Sequence, residues 1–298
     1  MDLLGSLNDT NRKSPLTVKK IWGKHLRSFF DSILDIFFPS LCIKCGKSIN
    51  SREAVCLLCF EGIPLNKSFF CGKCGARLPA VASLARRSLG EGVAKVGLPY
   101  GKKICHFDFP YVLGAATTYK NETARGLVRE LKFGFIRNAA RPLAKLLISY
   151  VENMGFTDHF ASQNRGLTRT YRGITQNITW DDWVVVPIPL GAKRMRQRGF
   201  NQAALIAEIF AERFSLVVEK GGFVRQNETR PQSEMENFGS RLKNTRDCFK
   251  VTASEKFSGK NIILIDDVST SGATFLEATE SLKKSGAKKI IALAAVKG

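Results

Sequence analysis

No apolar run in the chain approaches the roughly 18 to 20 residues needed to cross a bilayer, so a membrane-spanning helix is excluded. The start of the chain has neither the apolar stretch nor the cleavage site of a secretory leader, and a cytoplasmic protein is expected. Acidic side chains are the scarce charge, 26 against 46 Lys and Arg, for a formal net charge of +20. Such a surface attracts polyanions: phosphates, nucleic acid or an anionic membrane face. Two common phosphate-binding signatures are also missing. There is no complete Gly-x-x-x-x-Gly-Lys-Ser/Thr P-loop, and no Gly-x-Gly-x-x-Gly opens a helix. What the chain does have is enough apolar material for a core, 44% hydrophobic over 298 residues, which suits one large domain or two smaller ones.

The stretch richest in chemistry runs from Ile262 to Thr274, Ile-Ile-Leu-Ile-Asp-Asp-Val-Ser-Thr-Ser-Gly-Ala-Thr. Its first four residues predict a buried strand, followed by two carboxylates, a hydroxyl-rich turn and an amphipathic helix over Thr274 to Ser285. Ligands of open α/β sheets bind beyond the carboxyl ends of strands, where a starting helix points free N-H groups and its positive dipole end at an anion. Asp266 and Asp267 offer hard oxygens suited to sugar hydroxyls or magnesium. Ser269, Thr270, Ser271 and Thr274 offer donors to phosphate, and Gly272 lets the turn close. Thr274-Phe-Leu-Glu277 also reads as a capping box, but capping needs one acceptor and gives the paired acids no task.

The remaining organisation falls into three parts: 1–38, 39–108 and 109–298. The first is a polar lead and an amphipathic helix carrying Trp22, Leu26, Phe29, Phe30, Ile33 and Phe37. In the second, Cys42, Cys45, Cys56 and Cys59 form two Cys-x-x-Cys pairs ten residues apart, the spacing of a closed structural zinc site. Cys71, Cys74 and Cys105 offer three ligands for a second zinc, with His106 or Asp108 as a fourth. The alternative is a decayed site with free thiols. An insertion is expected at 80–103, and Cys248 reads as a small buried hydrophobe.

From 109 onward strands and helices alternate. Strands are expected at Tyr111–Tyr119, Trp183–Ile188 and Lys289–Val296, and helices at Glu122–Phe133, Ala139–Asn153 and Ala203–Phe214. Residues 157–179 read as a mobile, disordered surface loop. A basic loop, Lys193, Arg194, Arg196 and Arg198, follows the second of these strands on the edge that carries the acids, and its charge suits a diphosphate. The polar segment Arg225 to Phe249 reads as a lid over the site. The fold class is therefore α/β, a parallel sheet flanked by helices and preceded by a small Cys-rich zinc-binding module.

The segment from Ile262 to Thr274 resembles the phosphoribosyl-pyrophosphate (PRPP) signature of type I phosphoribosyltransferases, with agreement at every position. The resemblance implies that Asp266 and Asp267 hold ribose hydroxyls as the catalytic pair, while Ser269, Thr270, Ser271, Gly272, Ala273 and Thr274 surround the 5'-phosphate. Mg2+ is implied with PRPP, and Lys193, Arg194 and Arg198 face the pyrophosphate. Purine-salvage relatives have an acidic base where this chain has Thr270.

Further motifs narrow the resemblance to the ComF family: Phe38-Pro39 before the first cysteines, Tyr119 with Leu131-Lys132-Phe133, Pro187-Ile-Pro-Leu, Arg198-Gly-Phe-Asn-Gln202, Gln232 and Arg241-x-x-Asn244. That family implies a link to natural transformation, with single-stranded DNA and the DNA-uptake machinery as partners. The chain departs from it at Cys105-x-x-Asp108 and in its insertions at 80–103 and 157–179. Two functions follow as expectations, a phosphoribosyltransferase of open acceptor or a PRPP- or nucleotide-sensing module that binds single-stranded DNA.

Overall fold

The computed structural model describes residues 40–49, 53–78, 106, 109–154, 168–171, 174–177, 183–226 and 248–298. The amphipathic helix expected before residue 39, the insertion at 80–103, Cys105 and most of the expected lid lie outside these residues.

Strand β1 (Phe69–Cys71) and strand β2 (Arg77–Leu78) follow a short helix α1 (Leu57–Glu61) in the cysteine-rich part. Next come β3 (Val112–Thr118), α2 (Glu122–Lys132) and α3 (Ala140–Asn153). The chain continues through β4 (Thr168–Tyr171), β5 (Ile174–Asn177), β6 (Trp183–Pro187), α4 (Ala192–Arg198), α5 (Gln202–Phe214), β7 (Val217–Val218) and β8 (Phe223–Arg225). It ends with β9 (Phe249–Val251), β10 (Asn261–Ser269), α6 (Ala273–Lys284) and β11 (Ile290–Lys297).

Seven strands make one sheet in the order β2-β1-β3-β11-β10-β6-β7. The five from β3 to β7 are parallel, and β1 joins β3 antiparallel with Cys71 opposite Val112. The sheet thus continues from the nucleotide-type core into the cysteine-rich part without a break. Side chains reinforce that seam: the Asn66 amide donates to the Ala115 carbonyl at 2.9 Å, and Thr117 Oγ1 donates to the Pro64 carbonyl at 2.7 Å.

Helices form where apolar side chains recur on one face. In α2, Leu127, Val128 and Leu131 are buried, Asn121 caps the N-terminus by accepting from Ala124 N-H, and Arg129 and Lys132 complement the dipole in the last turn. Leu143, Leu147 and Tyr150 of α3 meet Ile206 and Phe210 of α5 in the core on one side of the sheet. Each such Leu or Ile contributes about 1.5–3 kcal/mol by leaving water. The other side is covered by Phe275, Ala278 and Leu282 of α6 and by the β8–β9 ribbon, whose Phe223 and Phe249 stack at 5.3 Å. Cys248 is buried in this second core, as its sequence position suggested.

Three sequence expectations need correction. The segment 157–179 contains a hairpin: β4 pairs antiparallel with β5, with Arg169 opposite Gln176 and only Arg172 and Gly173 between the strands. Its run of Thr, Tyr and Ile has strand propensity that was masked by polarity on both faces. The basic segment after β6 is a helix, α4, closed by Gly199 at φ +72°. The ends of the expected lid are strand residues, with Arg225 directly opposite Phe249.

Candidate functional site

Strand β10 outruns its neighbour. Its pairing with β6 ends at Ile265 opposite Pro187, whereas its pairing with β11 continues to Ser269 opposite Lys297. The two acids therefore lie within the protruding end of a nine-residue strand, rather than in a loop beyond it. Helix α5, reached from β6, packs on one face of the sheet, and α6, which follows β10, packs on the other. A crevice opens where consecutive connections leave on opposite faces, and the acids stand at its mouth.

Three cations stand near this pair. Lys132 Nζ lies 3.0 Å from Asp267 Oδ1, in a pair that is mostly withdrawn from solvent. Arg198 and Arg225 are half-buried or deeper and sit in the field of Asp266, with Arg194 close to both. Burial lowers each of these guanidinium pKa values, Arg194 lowers them further, and the acids work against that shift. For Asp266, burial and then the neighbouring Asp267 push the carboxyl up to about 8, against the pull of Lys132. Of the expected basic set, Arg198 lies in the field of the acids with Arg194 beside it, while Lys193 and Arg196 are exposed.

Asp267 is 3% exposed, yet its Oδ2 has no hydrogen-bond partner among the described residues, and neither does the buried Ser269 Oγ. Leaving such atoms unpaired costs about 1–3 kcal/mol each, more for a charge, which a hydroxyl-bearing or cationic ligand would offset. The donor set also suits Mg2+, since hard carboxylate oxygens are its usual protein ligands. Beyond Ser269, Gly272 turns the chain at φ +79° into the N-terminus of α6, where Ser271 Oγ accepts from the Ala273 N-H at 3.4 Å. Gly272, rather than Thr274 of the alternative capping-box reading, holds the cap position. Tyr111 is involved too: its buried hydroxyl donates to the Gly272 carbonyl at 2.9 Å, and burial holds its phenol above the ordinary range.

The cysteines gather in two groups. The Sγ atoms of Cys42, Cys45, Cys56 and Cys59 lie within 4.8 Å of one another, with Cys45 and Cys56 at 3.7 Å. Tetrahedral zinc with Zn–S near ~2.3 Å requires about 3.8 Å between sulfurs, whereas a disulfide needs about 2 Å. Burial opposes charge on Cys42, but N-H donors from Cys56, Cys45 and Lys44 outweigh it and bring the thiol down to about 6. Cys59 is pushed up to about 12, chiefly by its contact with Cys56 and by burial. Four thiols this close cannot all ionise without a cation, and zinc fits both the charge and the spacing. In the second group Cys71, Cys74 and His106 meet, with Cys71 Sγ 3.7 Å from His106 Nδ1. His106 takes the place that sequence left open among several fourth ligands.

The segment 161–298 matches the model of the phosphoribosyl transferase domain, and 33–89 matches the double zinc ribbon domain. Over 257 residues the chain is 25% identical to competence protein F of Haemophilus influenzae, covering 85% of this chain and 95% of that protein. It is 23% identical over 251 residues to the DNA utilization protein YhgH of Salmonella typhimurium, covering 84% and 87%. Across 104 residues it is 38% identical to competence protein ComFC of Bacillus subtilis, covering 35% and 40%. These two domains, with relatives named competence protein F and ComFC, match the ComF family. It combines a phosphoribosyltransferase-type α/β domain with a zinc ribbon that holds structural Zn2+, and among the described residues no helix is long and apolar enough to cross a membrane.

Three residues at this site were not singled out as site residues from sequence: Lys132, Arg225 and Tyr111. Lys132 and Tyr111 precede the segment that matches the phosphoribosyl transferase model. Lys132 ends an amphipathic helix, where a basic residue reads as dipole compensation, and only the tertiary contact shows its partner. The sole hint was the Leu131-Lys132-Phe133 motif shared with the family.

Proposed function

We propose that the chain binds PRPP with magnesium and acts as a phosphoribosyltransferase-type protein in DNA uptake and natural transformation. The observation that carries this reading is the buried pair Asp267 Oδ2 and Ser269 Oγ, without a hydrogen-bond partner among the described residues, just before the N-terminus of α6 and with Lys132, Arg198 and Arg225 near the acids. Asp266 and Asp267 would hold the ribose hydroxyls. The turn from Ser269 through Thr270, Ser271, Gly272 and Ala273 to Thr274 would take the 5'-phosphate with backbone N-H groups. Arg194 and Arg198, with Lys193 beside them, would face the pyrophosphate as charge builds on its departure. Mg2+, held on the acid pair, would supply charge neutralisation to the diphosphate when bound. The relatives' names, competence protein and DNA utilization protein, support the DNA-uptake setting.

Calorimetry with PRPP and Mg2+ tests this. Wild type is expected to bind, and the double variant Asp266→Ala plus Asp267→Ala to fold without binding. Absence of heat with wild type would overturn the reading. Pyrophosphate release across a panel of bases, amines and DNA then separates a transferase from a sensor.

A second reading, a PRPP- or nucleotide-sensing module that holds single-stranded DNA, draws on one further feature. Phe133, which follows Lys132, is 69% exposed and Phe135 52% exposed, and Arg198 lies 5.6 Å from the Phe133 ring. Aromatic faces among cations are what base stacking and backbone charge require. Affinity for a single strand should fall steeply with salt and drop about tenfold or more in Phe133→Ala, since one stacked base contributes about 1–3 kcal/mol. No binding at low salt would reject it.

A further inference from the structure

The second cysteine group and the phosphate turn lie far apart in sequence and touch in space. Strand β1 delivers Cys71 and the knuckle Gly72-Lys73-Cys74-Gly75 alongside β3, and Tyr111 stands immediately before β3. The Tyr111 ring is buried between Phe109 (5.0 Å) and Phe275 (6.1 Å). Its hydroxyl donates to the Gly272 carbonyl at 2.9 Å and lies 3.5 Å from the Gly72 carbonyl.

The space there is full. A Cβ on Gly272 would come within 2.7 Å of the Tyr111 hydroxyl and 3.1 Å of the Gly72 carbonyl oxygen. A Cβ on Gly72 would come within 2.4 Å of the Phe109 ring and 2.8 Å of the Tyr111 ring. Two glycines, one from each site, thus meet across a single hydroxyl. Lys297 closes the same corner: its Nζ lies 5.4 Å from the Phe70 ring, and Gly298 N-H donates to the Ser269 carbonyl at 2.8 Å.

We propose that the second cysteine knuckle and the phosphate turn form one coupled unit, with Tyr111 the positioning residue through which a metal on Cys71, Cys74 and His106 sets the N-terminus of α6. The ligand side of this proposal rests on the PRPP reading above. The physical link is peptide planarity: the Gly272 carbonyl and the Ala273 N-H share one plane and point in opposite directions. Holding the carbonyl therefore aims the N-H groups at the position an anion takes. A metal that fixes Cys71 and Cys74 fixes Gly72 between them, and Gly72 has no room to move without displacing Tyr111 or Gly272. Such coupling is reciprocal, so ligand and metal each raise the other's affinity by the same factor.

The experiment uses the full chain with one or two zinc equivalents. It compares wild type with Tyr111→Phe, which keeps the ring and removes only the donor, and with Cys74→Ser at an exposed position that leaves the core intact. Hydrogen exchange of peptides spanning 270–278 is read together with zinc affinity, measured by competition against a chromophoric chelator with and without PRPP. Losing the second zinc, or Cys74→Ser, should speed exchange at 272–276 and weaken PRPP on the order of tenfold. In Tyr111→Phe both ligands should still bind while the mutual enhancement falls to near one. The proposal is overturned if exchange at 272–276 is indifferent to the second zinc, if Tyr111→Phe keeps the full enhancement, or if only one zinc binds per chain. Should wild type bind no PRPP, the ligand reading fails, and the exchange measurement still decides the coupling.

Discussion

At Asp266, the burial that builds the site also opposes the side chain's charge. The carboxyl rises from an ordinary value near 3.8 to about 8 in the folded protein, by burial first and Asp267 second. Between those values the folded chain keeps a proton that the unfolded chain has released. Stability from this group therefore falls as pH rises through that window. Asp266→Asn removes the titration: its melting temperature should be flatter than wild type from pH 5 to pH 9. At the alkaline end it should be higher by on the order of 2 °C or more, since about 1 kcal/mol shifts a chain of this size by roughly 2–4 °C. Thermal scans across pH check this, and parallel curves for the two proteins would contradict it. Identity at this scale was legible: the acid pair, the hydroxyls after it and Arg198 were all readable from sequence. Lys132, Tyr111 and Arg225 were not, because their meaning comes from partners that the chain brings in from distant segments.

Among elements, the turn from β10 into α6 carries the tightest constraint. Gly272 sits at φ +79° with its carbonyl shared between Leu276 N-H and the Tyr111 hydroxyl. Gly272→Ala would add about 1–2 kcal/mol of left-handed strain and a 2.7 Å contact with that hydroxyl. Denaturant unfolding should show a loss of about 2 kcal/mol or more, with PRPP affinity reduced in parallel; an unchanged midpoint would count against this account of the turn. The principal helices and parallel strands were readable because their apolar residues recur at helical or strand period. Strands β1 and β2 were not, since three and two residues are too few to show a period. Hairpin β4–β5 was missed for a different reason, as a strand with polar residues on both faces carries no contrast between them.

For the whole molecule, the metal sites and the sheet are one structure. A strong chelator should release two zinc equivalents per chain and lower the melting temperature, because β1, which follows the first cysteine group and enters the second, is hydrogen-bonded to the core. Metal analysis alongside thermal scans checks both parts, and release of a single equivalent would leave the second group unmetallated. The net charge of +20 acts at this scale too, drawing polyanions from a distance and weakening with salt. The sheet also ends, on either side, in a two-residue strand, β2 at one edge and β7 at the other. Borders that short offer almost no unpaired backbone for another chain to copy. Without the ribbon, the border would be β3, seven residues long with an apolar middle. The cysteine-rich part, by bonding along Val112 to Ala116, thus covers an edge that would otherwise be open to edge-to-edge pairing.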